Sequence, residues 1–116
     1  MDILEMRVAM SLKELQREIW ELMESKGWHE TDSGPLANHM LIVSEIAEAT
    51  ESVRHGEPDE WIDDKGKPQG EAVELADAVH RILDYFATKG WDLEAVLRRK
   101  LEFNKTRPYR HGGLKY

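Results

Sequence analysis

Three observations predict an all-α fold, a bundle of four to five helices. Apolar residues recur at helical spacing through most of the chain. Capping residues and glycines punctuate those runs. Strand-like alternation is almost absent. With 116 residues, the chain (1–116) is one domain, long enough for a core and too short for two.

Ser11-Leu-Lys-Glu14 has the form of a capping box, and Leu12, Leu15, Ile19, Leu22 and Met23 give one apolar stripe up to Gly27. Residues 28–35, WHETDSGP, read as a loop, with Pro35 suited to the first turn of the next helix. That helix runs from Leu36 to about Arg54 and stops at Gly56. Residues 55–70 hold Gly56, Pro58, Gly66, Pro68 and Gly70 and form the one long connection, with a short helical turn expected around Asp59–Ile62. The stretch EAVELADAVHRILDY, 71–85, is a packed helix through Val73, Leu75, Ala76, Val79, Ile82, Leu83 and Phe86, and it ends at Gly90. Asp92 caps a last helix through Leu93, Val96, Leu97 and Leu101, which stops before Pro108. A basic tail, 105–116, follows.

Composition narrows the class. Hydrophobic content of 41% and charged content of 34% fit a globular protein and are too apolar for disorder. There are no cysteines, which excludes disulfides and thiolate metal sites and suits a reducing cytoplasm. No run approaches the roughly 20 apolar residues of a membrane span, and the N-terminus lacks a signal-peptide pattern, so neither membrane nor secretion is expected. The net charge of −7 is unevenly spread: from Arg98 onward there are seven Lys or Arg and one acid, leaving nine basic and 22 acidic residues in 1–97. An acidic body with a basic end is poorly suited to nucleic acid, which wants a broad positive face. It suits a small, highly charged anion held by a metal on one side and cations on the other. A solvated tail that only aids solubility would have the same composition.

The acids carry the chemistry. Glu45 and Glu48 lie three apart in LIVSEIAEATESV, and Glu74 and Asp77 lie three apart in the 71–85 helix. Such residues are separated by roughly 60° around a helix and share a face. Paired acids of this kind are most often solvated surface charge, but here the neighbours along the chain are apolar. No basic residue follows Glu45 until Arg54, and Arg81 is the nearest cation to Glu74 and Asp77. Buried carboxylates without partners either titrate away or coordinate a cation. An oxygen-only ligand set selects Mg²⁺, with Mn²⁺ as substitute. Glu51 and Glu71 flank the group as second-tier ligands, although Glu51 can pair with Arg54.

Glu45-x-x-Glu48 followed by Glu74-x-x-Asp77, with the closing stretch Lys100-Leu-Glu-Phe-Asn104-Lys-Thr-Arg-Pro-Tyr-Arg-His-Gly-Gly, resembles the MazG-like all-α nucleoside triphosphate pyrophosphohydrolases of the short single-domain type. The likeness runs from about Leu36 to Tyr116 and is weakest in the first 30 residues and the 55–70 loop. It implies a helical bundle completed by dimerisation, as a homodimer or dimer of dimers. It also implies Mg²⁺-dependent hydrolysis of a nucleoside triphosphate to the monophosphate and pyrophosphate.

The residue types fit that chemistry. A triphosphate carries about four negative charges, which must be neutralised before water can attack. Glu45, Glu48, Glu74 and Asp77 would hold the metal, with a carboxylate of the first pair, Glu48 or Glu45, taking the proton of the water. Lys100 and Asn104 lie four apart on one face of the last helix, placed to reach phosphate and sugar or base, and Lys105, Arg107 and Arg110 follow to close over the phosphates. Trp28, His29 and Trp61 are either a nucleobase pocket or packing anchors. Asp77-x-x-His80 is half of a di-metal carboxylate motif whose second half is missing, so His80 is expected to be a core or interface histidine. Outside the enzyme class the alternative is an acidic helical interaction module without catalysis.

Overall fold

The computed structural model describes residues 10–31 and 33–115. The expected absence of an N-terminal signal pattern concerns residues 1–9, which lie outside this range. Among the described residues the protein is helical apart from one two-stranded hairpin. Helix α1 spans Leu12–Ser25, α2 Gly34–Arg54, α3 Glu71–Thr88, α4 Leu93–Lys105 and a short α5 Arg110–Gly113. None of these helices is long and apolar enough to cross a membrane.

The termini follow from local chemistry. Ser11 Oγ accepts from the Glu14 N–H at 3.1 Å and starts α1. Pro35 sits in the first turn of α2, where its missing N–H costs nothing. Acidic Glu71 and Glu74 occupy the first turn of α3 and complement the positive end of its dipole. Gly90, at φ 74°, turns the chain out of α3, and Asp92 Oδ1 then accepts from the Ala95 N–H at 3.1 Å to start α4.

The helical turn expected at Asp59–Ile62 is not there. Trp61–Ile62 instead pairs antiparallel with Pro68–Gln69, strands β1 and β2. One carboxylate organises the turn: Asp63 Oδ1 accepts from the Lys65 and Lys67 N–H groups at 2.9 Å each, and Oδ2 accepts from Gln69 Nε2 at 3.1 Å.

Helices α2 and α3 form the most extensive contact, and α1 also packs on α3. Ile19, Ala49, Ala78 and Leu83 are the buried apolar side chains. Helix α4 is held at its start by Gln16. The buried amide donates to Trp91 O at 2.8 Å and accepts from the Leu93 N–H at 3.2 Å, so both ends are satisfied. Past that anchor α4 buries no residue. The acids of α2 and α3 therefore face each other, while the basic residues of α4 stand apart.

Candidate metal centre

Glu45 and Glu48 on α2 and Glu74 on α3 each offer a carboxylate oxygen, and these oxygens lie within 4.8 Å of one another. The three acids meet because α2 packs along α3. Asp77 is not one of the three. It lies on the wall of an adjoining cavity of about 830 Å³ that also includes Glu45, and its charge acts on Glu74 from there.

The electrostatics separate the carboxylates. Burial pushes the Glu74 carboxyl up, and the hydrogen-bonded, charged Glu48 with the charges of Asp77 and Glu45 pushes it further, to about 7. Burial acts on Glu45 in the same direction. For that group the hydrogen bond and charge of Arg81, with hydrogen bonds from Glu48 and Glu74, outweigh burial and hold its carboxyl below the usual range. The cluster therefore carries a shared proton near neutral pH that a cation can displace. All donors are hard oxygens, and the set fits Mg²⁺ or Mn²⁺.

Two expectations need correction. Glu45 does have an ionic partner: Arg81 Nε donates to its Oε1 at 2.8 Å. Reading each helix along its own length missed it, because the guanidinium comes from the facing helix. His80 is not a core residue: it is exposed and lines the cavity.

Other expected participants are scattered. Glu51 is an exposed surface acid, 3.7 Å from Arg54 and 3.8 Å from His55. Glu71 is half-buried and outside the cluster. Among the described residues, Lys100, Asn104, Lys105, Arg107 and Arg110 make no ion pair or hydrogen bond to the four acids. Lys105 pairs with Glu102 at 2.8 Å, and Lys100 Nζ lies 5.1 Å from the centre of the Phe103 ring. Trp61, the first residue of β1, is half-buried, with its indole N–H buried and unpartnered. Trp28 is exposed at the cavity rim.

His29 has a role the sequence did not reveal. Its Nδ1 is hydrogen-bonded to Glu24 Oε2 at 2.6 Å and its Nε2 to Asp84 Oδ1 at 2.8 Å, and its ring stacks on Trp20 with centroids 5.1 Å apart. Burial is the largest influence on this imidazole and disfavours its charge. The two carboxylates overcome it and raise the pKa above the ordinary value. His29 thereby ties the α1–α2 loop to α3 at the cavity wall. One signal was available: Glu74, Asp77, Arg81 and Asp84 fall three, four and three residues apart, a polar stripe along one side of α3.

Comparison with protein-family models, with curated proteins and with solved structures finds no match to this chain.

Proposed function

We propose that this protein is a MazG-like nucleoside triphosphate pyrophosphohydrolase that cleaves a (d)NTP to the nucleoside monophosphate and pyrophosphate. One observation carries the reading: three carboxylates from two facing helices converge within 4.8 Å at the edge of a cavity of about 830 Å³. A cavity of that size accommodates a nucleotide.

Glu45, Glu48 and Glu74 would hold Mg²⁺ or Mn²⁺, with Asp77 adding negative charge at the cavity wall. The cation would neutralise the phosphate chain and acidify a water near it. Glu48 is the carboxylate assigned to take that water's proton. It is the exposed member of the cluster, whereas Glu45 is committed to Arg81 and Glu74 already retains a proton near neutral pH. Lys100, Asn104, Lys105, Arg107 and Arg110 are assigned to the phosphates. They lie away from the acids of their own chain, which favours a homodimer or dimer of dimers in which α4 and the tail serve a neighbouring site. A reducing cytoplasm is the setting proposed for this activity.

The test is a panel of the eight common NTPs and dNTPs with Mg²⁺, separating the products. Monophosphate and pyrophosphate in equal amounts are expected from at least one of them. Release of orthophosphate with a diphosphate left behind, or no turnover of any triphosphate, overturns the assignment.

A further inference from the structure

Arg81 joins two parts of the site that are otherwise separate. Its Nε donates to Glu45 Oε1 at 2.8 Å, and in that pair the Glu45 side chain is 11% exposed against 42% for Arg81. The guanidinium therefore reaches from the cavity wall into the most buried acid of the cluster. Among the described residues its two Nη groups have no hydrogen-bond partner, and Arg81 lines the cavity beside Glu45 and Asp77. A guanidinium is a rigid fork that stays charged at any accessible pH, so engaging it at Nε leaves its Nη edge ready for two parallel bonds to an oxyanion. Lys89 also borders the cavity, but its Nζ lies 5.6 Å from the centre of the Trp91 ring and has no such geometry.

Two consequences follow from the placement. A fixed cation on Glu45 competes with a divalent ion for the charge of that carboxylate. The same residue lines the cavity, so its Nη edge is available to the phosphate chain of a ligand bound there. We propose that Arg81 is a positioning residue linking metal and anion: its Nε restrains Glu45 against the incoming divalent cation, and its Nη edge takes a phosphate oxygen. This rests on the metal and triphosphate reading given above and adds to it a coupling between the two ligands.

The test uses the full chain at pH 8, with Mn²⁺ alone followed by paramagnetic resonance and inorganic triphosphate in Mg²⁺ followed by calorimetry. Arg81→Gln should bind Mn²⁺ about tenfold more tightly, because the competing charge is gone. It should bind inorganic triphosphate about tenfold more weakly. A purely structural arginine would instead lose Mn²⁺ affinity along with thermal stability. Arg81→Lys keeps the charge without the fork, so its Mn²⁺ affinity should stay within about threefold of the parent while triphosphate binding still weakens. Mn²⁺ binding by Arg81→Gln no tighter than the parent, or unchanged triphosphate affinity in either variant, overturns the inference. If Arg81→Gln fails to fold, the triphosphate arm of Arg81→Lys decides alone. A Glu45→Gln/Glu48→Gln control separates the two levels: a parent that binds Mn²⁺ no better than this control overturns the metal reading and the inference together. A parent that binds well, with Arg81→Gln unchanged, overturns only the role of Arg81.

Discussion

Glu74 is the residue whose environment has the clearest consequence for binding. Its carboxyl, raised to about 7, holds a proton where Glu45, held below the usual carboxylate range by Arg81, is ionised. A cation entering the cluster must displace that proton, so metal affinity should fall as pH drops below about 7. Calorimetry at pH 6.5 in two buffers of different ionisation heat should report a proton released on binding; a buffer-independent heat would contradict this. The sign for stability is opposite to that of a salt-bridged acid. Between the ordinary value of 4.5 and about 7 the folded state binds more protons than the unfolded one, so metal-free stability should decline as pH rises through that window. Glu74→Gln should flatten the slope and be more stable than the parent at pH 8 by urea unfolding, while losing most metal binding. The acids were legible in the sequence because each pair is a local spacing on one helix. The partnership of Arg81 with Glu45 was not, since the two residues are 36 positions apart and meet only when α2 packs on α3. The three-four-three spacing of Glu74, Asp77, Arg81 and Asp84 was the hint that went unused.

At the scale of elements, two junctions hold the cavity walls in place. His29 bridges Glu24 at the end of α1 and Asp84 on α3, and it donates through both ring nitrogens only when protonated. Its raised pKa gives a stabilisation fully present below the ordinary value of 6.5 and lost as pH rises through the raised value. His29→Gln should therefore cost about 1–3 kcal/mol at pH 6. The cost should be clearly less at pH 9, compared by urea unfolding at the two pH values; equal costs would remove the charge from the explanation. The second junction is Gly70, where the hairpin enters α3 at φ 114°. A Cβ there would run into the Asp59 carbonyl and come within 2.8 Å of Pro58 O. Gly70→Ala is expected to cost about 2 kcal/mol or more. A melting temperature unchanged from the parent would show that the junction yields freely. Helix bounds at Arg54 and Gly90 were readable because glycine and capping residues mark them. The hairpin was not, because Asp63 acts through its side chain on backbone N–H groups that follow it, and Gly66 with two prolines reads equally well as a featureless loop.

The whole molecule is open for a chain of its length. Its radius of gyration is 17.0 Å, against about 13 Å for a compact chain of this length. Its accessible surface is 9398 Å², whereas a compact monomer of this mass exposes about 6,500 Å². The excess is about 2,900 Å² per chain. Much of it is apolar: Leu36, Met40 and Val43 lie on the side of α2 opposite the buried Glu45, Ala49 and Ser52, Ile46 and Val53 are exposed on its flank, and Val96, Leu97 and Leu101 are exposed on α4. That α2 carries apolar residues nearly all round was legible in the sequence; which of them meet a partner depends on a second chain and has no local signal. Light scattering should therefore give a mass of at least twice 13.5 kDa, and a monomer at micromolar concentration would refute the assembly. Site completion by the neighbour has a sharper test. A chain inactivated by Glu48→Gln keeps its tail, and a chain with Arg107→Ala/Arg110→Ala keeps its acids; each alone should be nearly inactive. If the tail acts across the interface, a mixed dimer pairs one intact acid cluster with one intact tail. Co-refolding equal amounts should then restore about a quarter of the parent activity, since half of the dimers are mixed and each has one working site. Activity no higher than that of the two variants assayed separately would place the tail's arginines on their own protomer or outside the reaction altogether.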